Sequence, residues 1–253
     1  MHKQPLVSII TPAYNAERFI EQTILSVMEQ SLSDWEHLIV VDAKSSDRTL
    51  DIVKDWELKD RRIRCLQSAN VFGAAQNRNF AVDQAKGEFL AFLDADDLWT
   101  SDKLKKQIDF MQSKPCDFSY TTFTRISEDG QKTGKCILAP EKLNYEMLLK
   151  NNDIGCLTVM LKKNAFSQIR FAEKGWEDMS LWLSLLKQVP FAYGLQESLA
   201  WYRIVSGSRS NNKVFSAKLR WQTYRNVESL SLWQSVYLFS FYVFTGIKKH
   251  FRF

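Results

Sequence analysis

The chain has 253 residues, 45% hydrophobic and 25% charged, a balance that supplies a substantial core and excludes bulk disorder. The four cysteines, Cys65, Cys116, Cys136 and Cys156, form no CxxC pair and no zinc spacing, so they read as reduced thiols of a cytosolic compartment. The net charge of +5 is uneven: from Trp201 onward nine Lys and Arg stand against one Glu, leaving a slightly acidic body and a basic end.

The N-terminus (MHKQPLVSII) has no long apolar run after its basic start, so no signal peptide is expected. Residues 6–11 (LVSIIT) form a β-branched run stopped by Pro12, and residues 16–29 carry Phe19, Ile20, Ile24, Val27 and Met28 at a helical period. A buried strand is predicted at 38–41, ending at Asp42. Ser45, Ser46 and Asp47 then offer caps for a helix through Leu50, Val53 and Trp56. A third strand follows at 63–67, a helix at 73–85, a fourth strand at 89–93 and a helix at 100–111. Beyond that point strands are expected at 118–124 and 157–161, and helices at 179–188, 213–230 and 231–249. Alternating strands and helices with short connections predict an α/β fold with a mostly parallel sheet, which binds ligands beyond the carboxyl ends of its strands.

The polar residues at those strand ends suggest a chemistry. Asp94-Ala95-Asp96 leaves the fourth strand directly, and its oxygen ligands suit Mg2+ or Mn2+ shared with a diphosphate; the same acids also fit a helix cap. Asp42 and Asn15 could hydrogen-bond a nucleoside and Tyr14 could stack on its base, although each is also a common turn residue. Arg78 lies on the helix after Gly73, within reach of a donor. Glu177-Asp178, following Gly175-Trp176, pairs carboxylates with a large aromatic, a setting that raises a pKa and suits a general base. Its alternative role is to cap the helix that follows.

Five stretches in order, 7–15 (VSIITPAYN), 38–49 (LIVVDAKSSDRT), 70–79 (NVFGAAQNRN), 86–99 (KGEFLAFLDADDLW) and 176–183 (WEDMSLWL), closely resemble family 2 glycosyltransferases, which have the GT-A fold. The resemblance spans about the first 185 residues of the chain. It implies an inverting enzyme that moves a sugar from a nucleotide-sugar donor, expected to be a UDP-sugar, onto a glycan or lipid-linked acceptor. It also implies roles. Thr11, Pro12, Tyr14, Asn15 and Asp42 would line the nucleoside site, and Arg78 and Asp94 would contact the donor. Asp96 would be the metal ligand, for Mn2+ or Mg2+, and Asp178 the base. Glu177 and Trp176 would lie on the acceptor side. One departure stands out: Asp42-Ala43-Lys44 replaces the family's usual two acids and glycine, which points Lys44 toward the diphosphate.

Tyr202-Arg203 followed by SGSRSNNK resembles the C-terminal loop of bacterial members that build surface polysaccharides, so Arg203 is expected in a lid or on the acceptor side. The predicted division is a GT-A domain at 1–212, with a nucleotide-sugar half at 1–113 and an acceptor half at 114–212, plus a basic, aromatic helical appendage at 213–253. Residues 231–247 (SLWQSVYLFSFYVFTGI) are too short to span a bilayer, but their aromatics and flanking cations suit an anionic membrane surface; the alternative is a helix pair packed on the catalytic domain or on a dimer partner. The expected place is the inner face of the cytoplasmic membrane. No nucleic-acid motif occurs, and nothing fixes an oligomeric state. A nucleotidyltransferase would want a Gly-rich phosphate loop after the first strand, and the sequence has no GxG. A catalytically inactive scaffold of this fold would have lost its metal or base acids, and Asp94, Asp96 and Asp178 are all present.

Overall fold

The structure, a computed structural model, describes residues 4–69, 71–206 and 213–250. Its first half runs β1 (Val7–Ala13), α1 (Ile20–Met28), β2 (Trp35–Val41), α2 (Thr49–Lys59), β3 (Ile63–Leu66), α3 (Ala74–Gln84), β4 (Phe89–Phe92), β5 (Leu98–Trp99) and α4 (Lys103–Gln112). The second half runs β6 (Phe118–Ile126), β7 (Thr133–Ile137), β8 (Lys142–Leu143), α5 (Tyr145–Lys150), β9 (Met160–Lys162), α6 (Glu177–Leu185), β10 (Ala192–Arg203), α7 (Lys213–Gln222) and α8 (Leu232–His250). The sheet order is β3-β2-β1-β4-β9-β6-β10-β5. Strands β3, β2, β1 and β4 pair in parallel, as do β6 and β10; β9 is wedged antiparallel between β4 and β6. The expected α/β fold with a mostly parallel sheet is what forms.

Helices cover both sheet faces, so the central strands are apolar on both sides. Ile9, Ile39 and Leu93 face a core shared with Ile20, Ile24, Val53, Leu104 and Ile108 from α1, α2 and α4. Their neighbours Ile10, Leu38, Val40 and Phe92 face a second core with Ala81, Leu148 and Trp182 from α3, α5 and α6.

That second core extends past residue 212. Tyr224 and Leu238, both beyond the predicted boundary, are buried in it with Phe92 and Trp182. The Tyr224 hydroxyl donates to the Leu149 carbonyl at 2.6 Å. The C-terminal helices are therefore a layer of the catalytic body, because their aromatic residues complete its core. Three local expectations also shift. Residues 157–161 open as a 3-10 turn (Cys156–Thr158) before β9. The helix predicted over 213–230 ends at Gln222 and passes into a π-helical turn, Thr223–Val227. The long β10 lay unseen in the sequence.

Candidate active site

The ends of β1 and β2 build one wall. Asn15 takes a positive φ of 45°, donates its N–H to Ser45 Oγ at 2.9 Å, and accepts the Ser46 N–H on Oδ1 at 2.9 Å. It clasps the 42–47 loop while Tyr14, 60% exposed, presents an open ring beside it. Asp42 is buried and receives three donors: Lys44 N–H at 2.9 Å, Gly73 N–H at 2.6 Å and the Asn77 amide at 2.9 Å. Burial pushes its pKa up, but these donors outweigh burial and hold it below the usual carboxylate range. Asp42 thus anchors the loop before α3.

One site expectation is corrected in this wall. Thr11 is fully buried, with Oγ1 2.8 Å from Nε2 of the equally buried His37, so its side chain braces the sheet and does not line an open site. Lys44 sets its ammonium 4.4 Å from the centroid of the Phe72 ring, drawn to the aromatic face. Pro12 is half-buried and lies inside β1, which continues to Ala13 and is not stopped at the proline.

The acidic turn after β4 is held from behind. Thr23 of α1 places its hydroxyl 2.9 Å from the carbonyls of both Ala95 and Asp97. Arg203, at the end of β10, donates its backbone N–H to Asp97 Oδ1 (2.8 Å) and its Nε to the Asp96 carbonyl (2.7 Å). Its two remaining nitrogens reach the Glu128 carbonyl and Gln22 Oε1, each at 2.8 Å. At 2% exposure Arg203 is neither a lid nor an acceptor contact; its backbone N–H and Nε fix the turn, and its other two nitrogens tie it to Glu128 and Gln22. The rest of the predicted lid, 207–213, lies outside the residues whose side chains are described.

Asp94 and Asp96 keep partial exposure at the front of this turn. Burial and the neighbouring Asp94 charge raise the Asp96 pKa to about 6. Among the described residues no three His, Cys, Asp or Glu side chains cluster to hold a metal by themselves. Two adjacent carboxylates, one raised by its neighbour's charge, fit a hard cation that would take its remaining oxygens from a phosphate and water.

Arg78 joins this turn to the opposite wall. The guanidinium, 5% exposed, gives Nη2 to Asp94 Oδ1 at 2.5 Å and Nη1 to Glu177 Oε1 at 2.7 Å. It lies 5.2 Å from the Phe171 ring centroid. Arg78 therefore bridges the strand-end acid and the first turn of α6, adjacent in sequence to Asp178. The capping alternative for Glu177-Asp178 is not what forms: the cap residue is Trp176, and both acids lie inside the helix. Asp178 accepts the Met179 N–H on Oδ1 at 2.6 Å. Its protein surroundings push its pKa up to about 7, chiefly by burial, with Glu177 adding and the Met179 N–H and Arg78 opposing.

Sequence reasoning missed the support beneath this wall. The Trp176 N–H donates to Thr223 Oγ1 at 2.8 Å, and Thr223 in turn donates to the Leu219 carbonyl at 3.1 Å. Gly175 has φ of 77°, and a Cβ there would lie 2.6 Å from Thr223 Oγ1 and 3.1 Å from Thr223 Cα. Arg220 reaches the Met179 sulfur at 3.1 Å. The only sequence signal was Gly175 itself, a glycine just before a helix with acids in its first turn.

Residues 8–170 match the model of the family described as Glycosyl transferase family 2. TuaG of Bacillus subtilis (strain 168), named as a glycosyltransferase of teichuronic acid biosynthesis, is 44% identical over 247 residues, covering 97% of this chain and 98% of the relative. The Escherichia coli UDP-Glc:alpha-D-GlcNAc-diphosphoundecaprenol beta-1,3-glucosyltransferase WfgD is 40% identical over 246 residues, covering 97% and 95%. In fold, the chain is similar to the mannosyltransferase PcManGT from Pyrobaculum calidifontis, solved with GDP-Man and Mn2+. The TM-score is 0.67 and the identity 17%, covering 90% of this chain and 66% of that one.

Proposed function

The chain belongs to glycosyl transferase family 2, and from that premise we propose that it transfers a sugar, with inversion, from a UDP-sugar to a lipid-linked glycan acceptor. The reaction would take place at the inner face of the cytoplasmic membrane, during synthesis of a bacterial surface polysaccharide. The observation that carries this reading is the Arg78 bridge, which sets the acidic turn and the base-bearing helix on either side of one guanidinium. The Escherichia coli relative, whose name specifies a UDP-glucose donor and an undecaprenol diphosphate-linked acceptor, supports the choice of substrates.

The chemistry follows from the wall positions. Asp178, poised near neutrality, takes the proton of the acceptor hydroxyl. The hydroxyl oxygen forms its bond to the anomeric carbon as the bond from that carbon to the diphosphate oxygen breaks, releasing UDP. Asp96, with Asp94 beside it, would hold Mn2+ or Mg2+; when bound, such a cation offsets the charge that grows on the departing diphosphate. The Mn2+ complex of the Pyrobaculum calidifontis mannosyltransferase supports a divalent ion. Tyr14 offers its exposed ring to the nucleobase.

The test is UDP release by the full chain from UDP-glucose and an undecaprenyl diphosphate-linked GlcNAc acceptor, with the product's anomeric configuration read by NMR. Inverted product is expected, with turnover lost in Asp96→Ala and in EDTA while the circular dichroism spectrum is unchanged. Retained configuration, or turnover that survives both treatments, overturns the reading.

A further inference from the structure

Helix α8 buries one of its polar side chains and leaves several large apolar ones exposed. The sequence gathers Ser231, Gln234, Ser235 and Thr245 on one side, the side a surface helix turns to water. The structure exposes Ser231 and Gln234 but buries Ser235 completely, its hydroxyl satisfied by the Ser231 carbonyl at 2.9 Å. The inward face is seated on the body: Leu238 is in the core, Phe239 meets Trp221 at 5.6 Å between centroids, and Tyr242 takes the Arg220 guanidinium at 5.0 Å. The outward face carries Trp233 at 82% exposure, Val236 at 48%, Tyr237 at 57% and Val243 at 45%. At about 100° per residue these four and Ser240 share one arc of about 120°. The packed side is settled by core contacts, so this apolar arc cannot be hidden by rotating the helix.

We infer that the outward face of α8 is a docking surface for an anionic lipid bilayer; this rests on the lipid-linked acceptor proposed above. Two observations choose lipid over other occupants. Trp233 and Tyr237 pair large apolar rings with polar N–H and O–H groups, the combination favoured at the headgroup boundary. After Glu228 the sequence holds no acid and ends with Lys248, Lys249 and Arg252, a charge that complements anionic headgroups. The helix lies on the surface and does not cross: among the described residues no helix is long and apolar enough to span a membrane.

The test uses the full chain and the double variant Trp233→Ser with Tyr237→Ser, both exposed positions outside the catalytic machinery. In flotation assays the wild type should rise with phosphatidylglycerol vesicles and less with phosphatidylcholine vesicles. The variant should lose partitioning about tenfold or more, with UDP release on a water-soluble acceptor analogue unchanged. No flotation of the wild type, or equal flotation of both proteins, overturns the inference. Equal partitioning onto the two lipids overturns the anionic assignment. A concentration-dependent dimer in light scattering that the variant abolishes would assign the face to a second copy. UDP release separates the two proposals: release without flotation rejects docking alone, whereas flotation without release in the wild type rejects the transferase reading alone.

Discussion

Asp178 carries consequences of two kinds, because its pKa near 7 lies well above the roughly 3.9 of a free aspartate. As a base it acts only when ionised, so kcat/KM should climb with pH and level off above about 7. For stability the sign is opposite. Between roughly pH 4 and 7 the native state keeps a proton that the unfolded chain gives up. The associated stabilisation is complete below about pH 4 and is lost as pH rises through 7. Asp178→Asn keeps an oxygen for the Met179 N–H but cannot ionise. It should cut kcat by about 10²–10⁴ while raising stability at pH 8 by on the order of 2 kcal/mol, a gain that shrinks toward pH 4. Urea melts at both pH values check this; a variant no more stable than wild type at pH 8 contradicts the buried-acid account. Acids of this kind were legible because the stretches that carry them follow the family's order along the chain, although an acid at a helix start is common by itself. Arg203 was not. A Tyr-Arg pair before a basic loop reads as surface, and only the pairing of β10 with β6 and β5 sends that side chain under the acidic turn.

Among the elements, the parallel half was legible because strands covered on both faces run as mostly apolar segments, as β4 does throughout and β1 does apart from Ser8 and Thr11. β10 escaped because its middle, Gln196-Glu197-Ser198, is polar and its register with β6 shifts there. The π-turn was invisible for a different reason: no local pattern marks it, and its function is a contact with Gly175-Trp176 distant in sequence. Thr223 is accordingly a positioning residue for the helix that bears Asp178. Thr223→Val keeps the shape and removes the acceptor of the Trp176 N–H, at a cost of about 1–2 kcal/mol. Steady-state kinetics should show kcat falling more than the donor KM changes, with Thr223→Ser restoring both. If stability falls while kcat holds, the turn supports the fold and not the base.

Taken as a molecule, the C-terminal helices serve two surfaces at once. Their inner side completes the core that backs the active-site wall through Tyr224, Arg220 and Leu238, and their outer side is apolar. The sequence made them look detachable because the chain turns basic from Trp201 onward, and composition does not report which side of a helix is packed. A chain ending at Leu230 tests the point. It removes the buried Leu238 and the Phe239–Trp221 and Tyr242–Arg220 contacts, which should cost on the order of 3 kcal/mol or more. Arg220 would lose the ring against which it is held beneath Met179, so the loss should reach the base helix as well. Chemical denaturation should show a lower midpoint for the truncated chain, and UDP release on a water-soluble acceptor analogue should fall with it. An unchanged midpoint with full turnover would restore the picture of an independent appendage. A fall in both would mean that truncation cannot separate membrane docking from catalysis, and that only substitutions on the outer face, at Trp233 and Tyr237, can.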